Sequence, residues 1–237
     1  MDGSLTSVSS QPILKGTRMV GRPPLNYDRI IEAAVAVADR GGLAQVSMRN
    51  LGKELSVEAM SIYHHLAGKE ALLDGLATWF FTQIQLPHPA EPWRSEMVCR
   101  ARSARDALTA HPWALGLIES RRSPGPALLR HHDAVLACLR HNGFSVALAA
   151  HTFSAIDAYV HGFVLTELNL PFDPGESAEE FVAHLDEVLD ANEYPSLVEM
   201  ITEQVSGKSY DYANEFEFGL DLILDSLHRH LADSESP

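Results

Sequence analysis

Apolar residues recur at helical spacing through the first part of the chain, after a polar opening. Residues 1–20 are rich in Ser, Thr and Gly and show no sustained period, which predicts a flexible arm without a fold of its own. Asn26 is a favourable N-cap, and Gly41 with Gly42 is a typical helix end, so a first helix is predicted between them. Its apolar positions are Ile30, Ile31, Ala34, Val37 and Ala38.

Short helices with tight joints follow. Ser47 is the next favourable N-cap, and the apolar spacing indicates a helix of about two turns that ends near Ser56. A third short helix is predicted over residues 58–65, and a fourth begins at Lys69. Three short helices with tight joints are typical of a helix-turn-helix unit.

The helical pattern continues beyond a break at the proline-rich segment 87–92. Periodicity resumes at Trp93, and Pro112 is expected to end that helix. Further helices are predicted over residues 126–141, 145–170, 178–190, 195–205 and 212–231. No alternating strand pattern of useful length occurs in the sequence, so the predicted fold is all-α.

The last predicted helix carries a wide apolar stripe, made of Phe216, Leu220, Ile223, Leu224 and Leu227. An apolar stripe of this width is too large to leave in water. It fits either a symmetric contact with a second copy of the chain or burial within one copy.

The distribution of charge changes this picture. The formal net charge is −14, which by itself argues against a polyanionic partner such as DNA. Residues 1–70 hold eight Lys/Arg and seven Asp/Glu, a net charge of +1, so residues 71–237 carry the remaining −15. This asymmetry fits a DNA-facing head on an acidic body, although an acidic surface kept for solubility would look the same.

The length of 237 residues favours two domains. No apolar run reaches the ~18 residues that span a bilayer, and the N-terminus lacks the apolar block of a secretion signal, so a cytoplasmic protein is expected. Cys99 and Cys138 are the two cysteines, and both are expected to be reduced thiols in helix cores.

Two adjoining runs carry a recognisable motif. They are VSMRNLGKELSV, from Val46 to Val57, and EAMSIYHHLAGKEALL, from Glu58 to Leu73. Together they resemble the N-terminal DNA-binding domain of the tetracycline-repressor (TetR) family, whose third helix ends in Leu/Ile-Tyr-x-His before a Lys that opens the fourth helix. The resemblance covers residues 24–83.

The DNA-binding roles follow from this placement. A short recognition helix enters the major groove by its N-terminal end, so the expected base readers are Ala59, Met60, Ser61 and His64. The resemblance implies that Tyr63, His65 and Lys69 contact DNA phosphates. Ser47 and Arg49, at the start of the second helix, are expected to add further contacts to the DNA backbone. Core packing or helix capping is the alternative role for Tyr63 and His65.

Two features depart from this simple picture. Ser56 stands where the family usually has Gly, at a position that favours the left-handed backbone conformation, so the turn is expected to be slightly reshaped. Arg22, with Arg18, lies on the N-terminal arm. These arginines fit either an adjacent minor groove or a solvated tail.

The C-terminal part resembles the ligand-binding domain of the tetracycline-repressor branch over residues 92–163. The residues that carry this resemblance are AHPW, from Ala110 to Trp113, and FSAIDAYVHGF, from Phe153 to Phe163. It implies that the helices over 145–170 and 212–231 pair with their copies in a homodimer. A dimer would also place two recognition helices in successive turns of a palindromic operator.

A small-molecule cavity is expected between the fourth helix, the Trp93 helix and the helices over 126–141 and 145–170. The candidate lining residues are Trp79, Phe80, Met97, Trp113, His131, Phe153, Asp157 and His161. Asp157 and His161 lie four residues apart on one helix face, where they could orient a ligand, bond to each other or contact water.

The sequence gives little support to other classes of function. It lacks a nucleophile elbow, a phosphate-binding glycine loop and a His-Glu-x-x-His zinc helix, so no catalysis is expected. Paired histidines at spacings of one or two residues point away from each other on a helix, so neither metal nor cofactor is assigned. A metal sensor and a DNA-free small-molecule carrier stay open as alternatives.

The sequence therefore predicts a ligand-responsive transcriptional regulator, most simply a repressor released from its operator DNA by a small-molecule effector. The predicted parts are a flexible arm over 1–22, a helix-turn-helix domain over 23–70 and a ligand-binding and dimerisation domain over 71–237.

Overall fold

A computed structural model describes residues 24–120, 125–170, 189–205 and 210–235. Within these ranges the chain contains ten α-helices and no strand, which confirms the all-α prediction. The helices are α1 Tyr27–Gly41, α2 Met48–Leu55, α3 Ala59–Tyr63, α4 Lys69–Thr82, α5 Trp93–Ala110, α6 Trp113–Ser120, α7 Pro126–His141, α8 Val146–Leu168, α9 Pro195–Met200 and α10 Glu215–Glu235.

Helices α1 to α3 form the head, and their caps are the predicted ones. The Asn26 side chain accepts a hydrogen bond from the Arg29 amide at 2.9 Å, and Ser47 Oγ accepts one from the Asn50 amide at 3.3 Å. These bonds satisfy amides that the first turn of each helix leaves free. The apolar faces of the three helices meet in one core, where Ile30, Leu51 and Ile62 are fully buried.

Helix α4 joins the head to the body. It packs on α1 on one side and on α6 and α7 on the other. The helices α1 and α4 approach closely at Gly75, where an added Cβ would lie 2.7 Å from the Tyr27 hydroxyl and even closer to the Ile31 side chain. Helices α1 and α4 are therefore in close contact at Gly75.

The body is built on α5, α7, α8 and α10, with α5 and α8 in the most extensive contact. Met97, Leu108, Leu139 and Phe216 are fully buried between these helices. One helix was missed by the sequence analysis, since the chain turns at Pro112 and continues at once as α6.

The later predicted helices have different outcomes. The helix over 195–205 is present as α9 followed by a π-helical turn, Ile201–Val205. Most of the predicted helix over 178–190 lies outside the described residues. No described helix is long and apolar enough to cross a membrane.

The apolar stripe on α10 packs within the chain. Phe216, Leu220, Leu224 and Leu227 are buried there and Ile223 is half-buried, so burial within one copy is the correct alternative for this stripe. A different face of α10 exposes Phe218 and Leu222, at 65% and 58% of their surface.

Candidate DNA interface and effector site

The joint between α2 and α3 depends on a close backbone approach. The Val57 amide donates to the Gly52 carbonyl at 2.8 Å, and a Cβ on Gly52 would lie 2.8 Å from the Val57 carbonyl oxygen. Only glycine fits there without a shift of the backbone. Ser56 adopts the left-handed conformation, with φ 51° and ψ 51°, as its family position suggests.

Helix α3 presents one face to solvent and the other to the head core. Ile62 is fully buried against the head core, whereas Met60 is 67% exposed; Ala59 and Ser61 are half-buried. The helix is shorter than the predicted range of 58–65, since it covers only Ala59–Tyr63. His64 and His65 form the exposed turn that follows. Those histidines therefore extend from a turn and not from the helix itself.

The expected phosphate-contacting side chains surround α3. Arg49 and Lys69 are exposed, and so is Tyr63. Arg49 and Lys53 line a shallow groove along the α2–α3 joint. The N-cap of α4 is Gly68, with φ 117°, which has no side chain to bond the amides of the first turn beside Lys69, and such a helix start favours an anion. Ser47 is occupied as the cap of α2, and Arg22 lies outside the described residues.

A polar joint connects the head to the body. Asp39 of α1 accepts hydrogen bonds from Trp113 Nε1 at 2.6 Å and from His111 Nδ1 at 2.8 Å. The Trp79 ring of α4 meets the His111 ring edge to face, with centroids 4.9 Å apart, and lies 6.3 Å from the Trp113 ring. Asp39 was not among the residues that the sequence singled out.

A second polar cluster lies inside the body, between α5, α7 and α8. Arg100 donates from Nε to His131 Nε2 at 3.0 Å and from Nη2 to Asp157 Oδ1. The Arg100 and His131 side chains are almost completely buried, and Asp157 is partly exposed. Arg100 Nη1 and His131 Nδ1 have no hydrogen-bond partner in the described part of the chain.

The protonation state of His131 follows from this environment. Burial, reinforced by the neighbouring Arg100 charge, lowers the pKa of His131 from 6.5 to about 4. The ring is therefore neutral near pH 7. Because its Nε2 accepts from Arg100, the single ring proton lies on Nδ1.

Aromatic rings border this cluster. The Phe81 ring of α4 lies 5.6 Å from the His131 ring, and the Arg100 guanidinium lies 5.6 Å from the centroid of Phe153. Phe153 in turn meets His132 edge to face. The site thus combines polar donors with apolar ring surfaces, which is typical of pockets for small organic molecules.

The structure divides the predicted ligand-binding residues into two groups. His131, Phe153 and Asp157 meet around Arg100, whereas Trp79, Phe80 and Trp113 pack together at the joint between head and body. Met97 is fully buried one turn before Arg100, and the half-buried His161 lies one turn beyond Asp157. Asp157 bonds to Arg100 and not to His161, so the mutual pair considered from the sequence does not form.

Arg100 itself was missed, although the sequence carried a signal. It lies three residues after Met97 and four before Ala104, on the apolar stripe of α5. An arginine on a buried stripe requires polar partners from other helices. No group of three or more His, Cys, Asp or Glu side chains that could hold a metal occurs among the described residues.

Comparison with known proteins identifies both halves of the chain. Residues 30–76 match the family model described as bacterial regulatory proteins, tetR family, and residues 86–231 match the tetracyclin repressor-like C-terminal domain. The HTH-type transcriptional repressor DrrR1 of Streptomyces coeruleorubidus is 32% identical, over 87% of this chain and 78% of that protein. The class C tetracycline repressor of Escherichia coli is 28% identical, over 86% of this chain and 91% of that protein.

Solved structures show the same architecture. The TetR family protein ActR of Streptomyces coelicolor, in complex with actinorhodin, superposes with a TM-score of 0.71 at 28% identity, over 87% of this chain and 96% of that one. Apo ActR gives a TM-score of 0.72 at 27% identity, over 90% of this chain and all of that one. This chain belongs to the TetR family of bacterial transcriptional regulators.

Proposed function

We propose that the protein represses transcription by binding a palindromic operator as a homodimer, in the cytoplasm and without a catalytic step, and that a small organic effector releases it. The observation that carries the DNA-binding half is the surface around α3. Met60 at the start of α3 is exposed, and so are Arg49 of α2, Tyr63 at the end of α3 and Lys69 at the start of α4. Such an arrangement puts candidate base readers between candidate phosphate contacts.

The homodimer is proposed from the outer faces of α8 and α10, which pack on each other. Phe218 and Leu222 of α10 are exposed, and so is Leu165 of α8. Along α8 the same side carries exposed small residues, Ser154, Ala155, Ala158 and Gly162. Small residues allow close helix approach and the large apolar ones need cover, which a second copy of the chain would supply through a symmetric contact.

The effector half rests on the Arg100 cluster, with ActR as a relative that has been crystallised with small molecules, actinorhodin and (S)-DNPA. An effector beside Arg100 would lie next to Phe81 of α4. Because α4 is wedged against α1 at Gly75, a displacement of α4 would reorient the head. An effector that binds more tightly to the head orientation unsuited to DNA lowers the DNA affinity by at most the difference between its binding free energies for the two orientations.

DNA binding is tested with the full chain and duplex DNA from the promoter region of its own gene. Arg49→Ala and Lys69→Ala should each weaken binding on every sequence and reduce the salt dependence by about one phosphate contact. Met60→Ala should instead change the base preference in a selection from random duplexes. Arg130→Ala is the charge-matched control, because Arg130 is exposed on α7, outside the head.

The combined variant Arg49→Ala and Tyr63→Ala gives the decisive result. Loss of promoter binding with unchanged thermal unfolding supports the proposal. Unchanged binding would contradict it and would favour a DNA-free small-molecule carrier.

The dimer is checked in the same preparations by light scattering, where Phe218→Asp should yield monomers.

A further inference from the structure

Asp39 lies in the last turn of α1, two residues before the helix ends at Gly41. A carboxylate there opposes the helix dipole, which favours negative charge at the N-terminal end. The local structure of α1 therefore does not favour an acid at this position, whereas its contacts with the body do. One carboxylate oxygen of Asp39 accepts from Trp113 Nε1 at 2.6 Å and from His111 Nδ1 at 2.8 Å.

Both donors belong to the turn that joins α5 to α6, and this turn is firmly held. The His111 amide donates to the Ala107 carbonyl at 3.0 Å, and the Ala114 amide donates to the His111 carbonyl at 2.9 Å. Trp113 is only 7% exposed, and its ring stacks on Trp79 of α4. The turn therefore offers the head a fixed point of attachment on the body.

The head is thus attached at two separate points of α1. One is the close approach of Ile31 to Gly75 of α4. The other is Asp39, eight residues later and about 12 Å further along the helix axis. One attachment leaves a pivot, whereas two attachments at different points along a helix restrict its rotation. Because α1 and α3 share the head core, the direction of α1 also fixes that of α3.

The direction of α3 matters most in a homodimer, where it sets the separation and the relative angle of the two recognition helices. One base pair added between two half-sites moves one of them by about 3.4 Å along the DNA and turns it by about 35°. We propose that Asp39 is a positioning residue, which selects operators of one half-site spacing by holding the head against Trp113 and His111. The proposal rests on the homodimer and the palindromic operator proposed above.

The test measures the spacing preference of the full-length protein. An operator is selected from random duplexes with the native chain, and base pairs are then added or removed at the centre of the palindrome. The native protein should lose affinity by about tenfold or more for a change of two base pairs. In Asp39→Ala this loss should shrink to about threefold or less, because a head with one attachment can turn towards a displaced half-site.

Further variants separate the contact from the charge. Asp39→Asn removes the same negative charge but keeps an oxygen that can accept both bonds, so it should retain the native preference. Trp113→Phe removes only the indole donor and should relax the preference less than Asp39→Ala does, since His111 still bonds to Asp39. The control is Glu217→Ala, which removes an acid that bonds to Arg102 between α5 and α10, within the body. It should keep the full preference.

The readout is the ratio of affinities for two spacings, which a general loss of stability or of DNA binding leaves unchanged. An Asp39→Ala variant with the native ratio would overturn the inference, and so would a native protein that binds all spacings equally. Operator binding would stand in both cases. Equal relaxation by Asp39→Asn or by Glu217→Ala would also overturn it, because charge or general loosening would then be the cause. A native protein that selects no operator would contradict the proposed function, and the inference with it.

Discussion

Asp39 on α1 accepts the indole N–H of Trp113, the first residue of α6, at 2.6 Å. The two residues are 74 positions apart in the sequence, and the bond joins the DNA-binding head directly to the body. The same carboxylate oxygen also bonds to His111, and the Trp79 ring of α4 packs against this pair. The head is thus held by a polar contact in addition to its apolar packing on α4.

Replacing Asp39 should loosen this joint. Asp39→Ala leaves the buried Trp113 N–H without an acceptor, and we expect the free energy of unfolding to fall by about 1–3 kcal/mol. Asp39→Asn keeps an acceptor oxygen, so the free energy of unfolding should fall by less in this variant. Urea unfolding measures both changes, with Glu32→Ala, an exposed α1 position, as control. The same comparison is made in a Trp113→Phe variant. If Asp39→Ala lowers the free energy of unfolding there by as much as it does in the native chain, Asp39 and Trp113 are not energetically coupled.

Substitution at Gly52 should distort the recognition surface. An alanine Cβ would lie 2.8 Å from the Val57 carbonyl oxygen, so α3 must move relative to α2. We expect Gly52→Ala to weaken promoter binding by about tenfold or more, since misplaced readers lose their base contacts. Gly116→Ala is the control, because an added Cβ there meets no atom within 4 Å. Equal affinities of the two variants in a gel-shift titration would refute this role of Gly52.

Ser56 has a backbone conformation that suits glycine better. A residue with a Cβ in the left-handed region costs about 1–2 kcal/mol, and Ser56 has φ 51°. Comparing Ser56→Gly with Ser56→Ala removes the hydroxyl in both variants and leaves the Cβ as the difference. We expect the glycine variant to be more stable by about 1 kcal/mol in thermal or urea unfolding. A more stable alanine variant would mean that the turn has relaxed out of this conformation.

Local signals in the sequence were sufficient for most of the fold. Asn26 and Ser47 were recognised as caps because the capping bond is made to an amide three residues away. Helix α6 was missed since a proline that ends one helix also favours the start of another, and Pro112 lies between α5 and α6.

The candidate effector site was harder to predict, because its contacts are not local. Arg100 bonds to partners 31 and 57 positions away, on α7 and α8. Helical periodicity places Arg100 on a buried face but does not identify those partners. In the same way it found the apolar stripe on α10 without telling a contact within the chain from one between copies. That Phe218 and Leu222 are exposed could be determined only once the packing of α8 on α10 was known.

The neutral state of His131 makes stability depend on pH. Its pKa is lowered from 6.5 to about 4 in the folded protein, so between these values the unfolded chain binds a proton that the folded chain does not. Stability from this group is therefore complete above pH 6.5 and is lost as the pH falls towards 4. By pH 5 the expected loss is about 2 kcal/mol.

The contribution of His131 can be separated from that of the carboxylates, which also titrate at low pH. His131→Gln removes the titrating group but keeps an amide that can accept from Arg100 and donate to a ligand. Urea unfolding at pH 7.5 and pH 5 should show a smaller loss of stability in this variant than in the native chain, because only the native chain must exclude a proton from a buried ring. An identical loss in both proteins would show that His131 takes up its proton while folded. In that case the ring would be a cation beside Arg100, and its Nε2 could no longer accept the bond that joins α5 to α7.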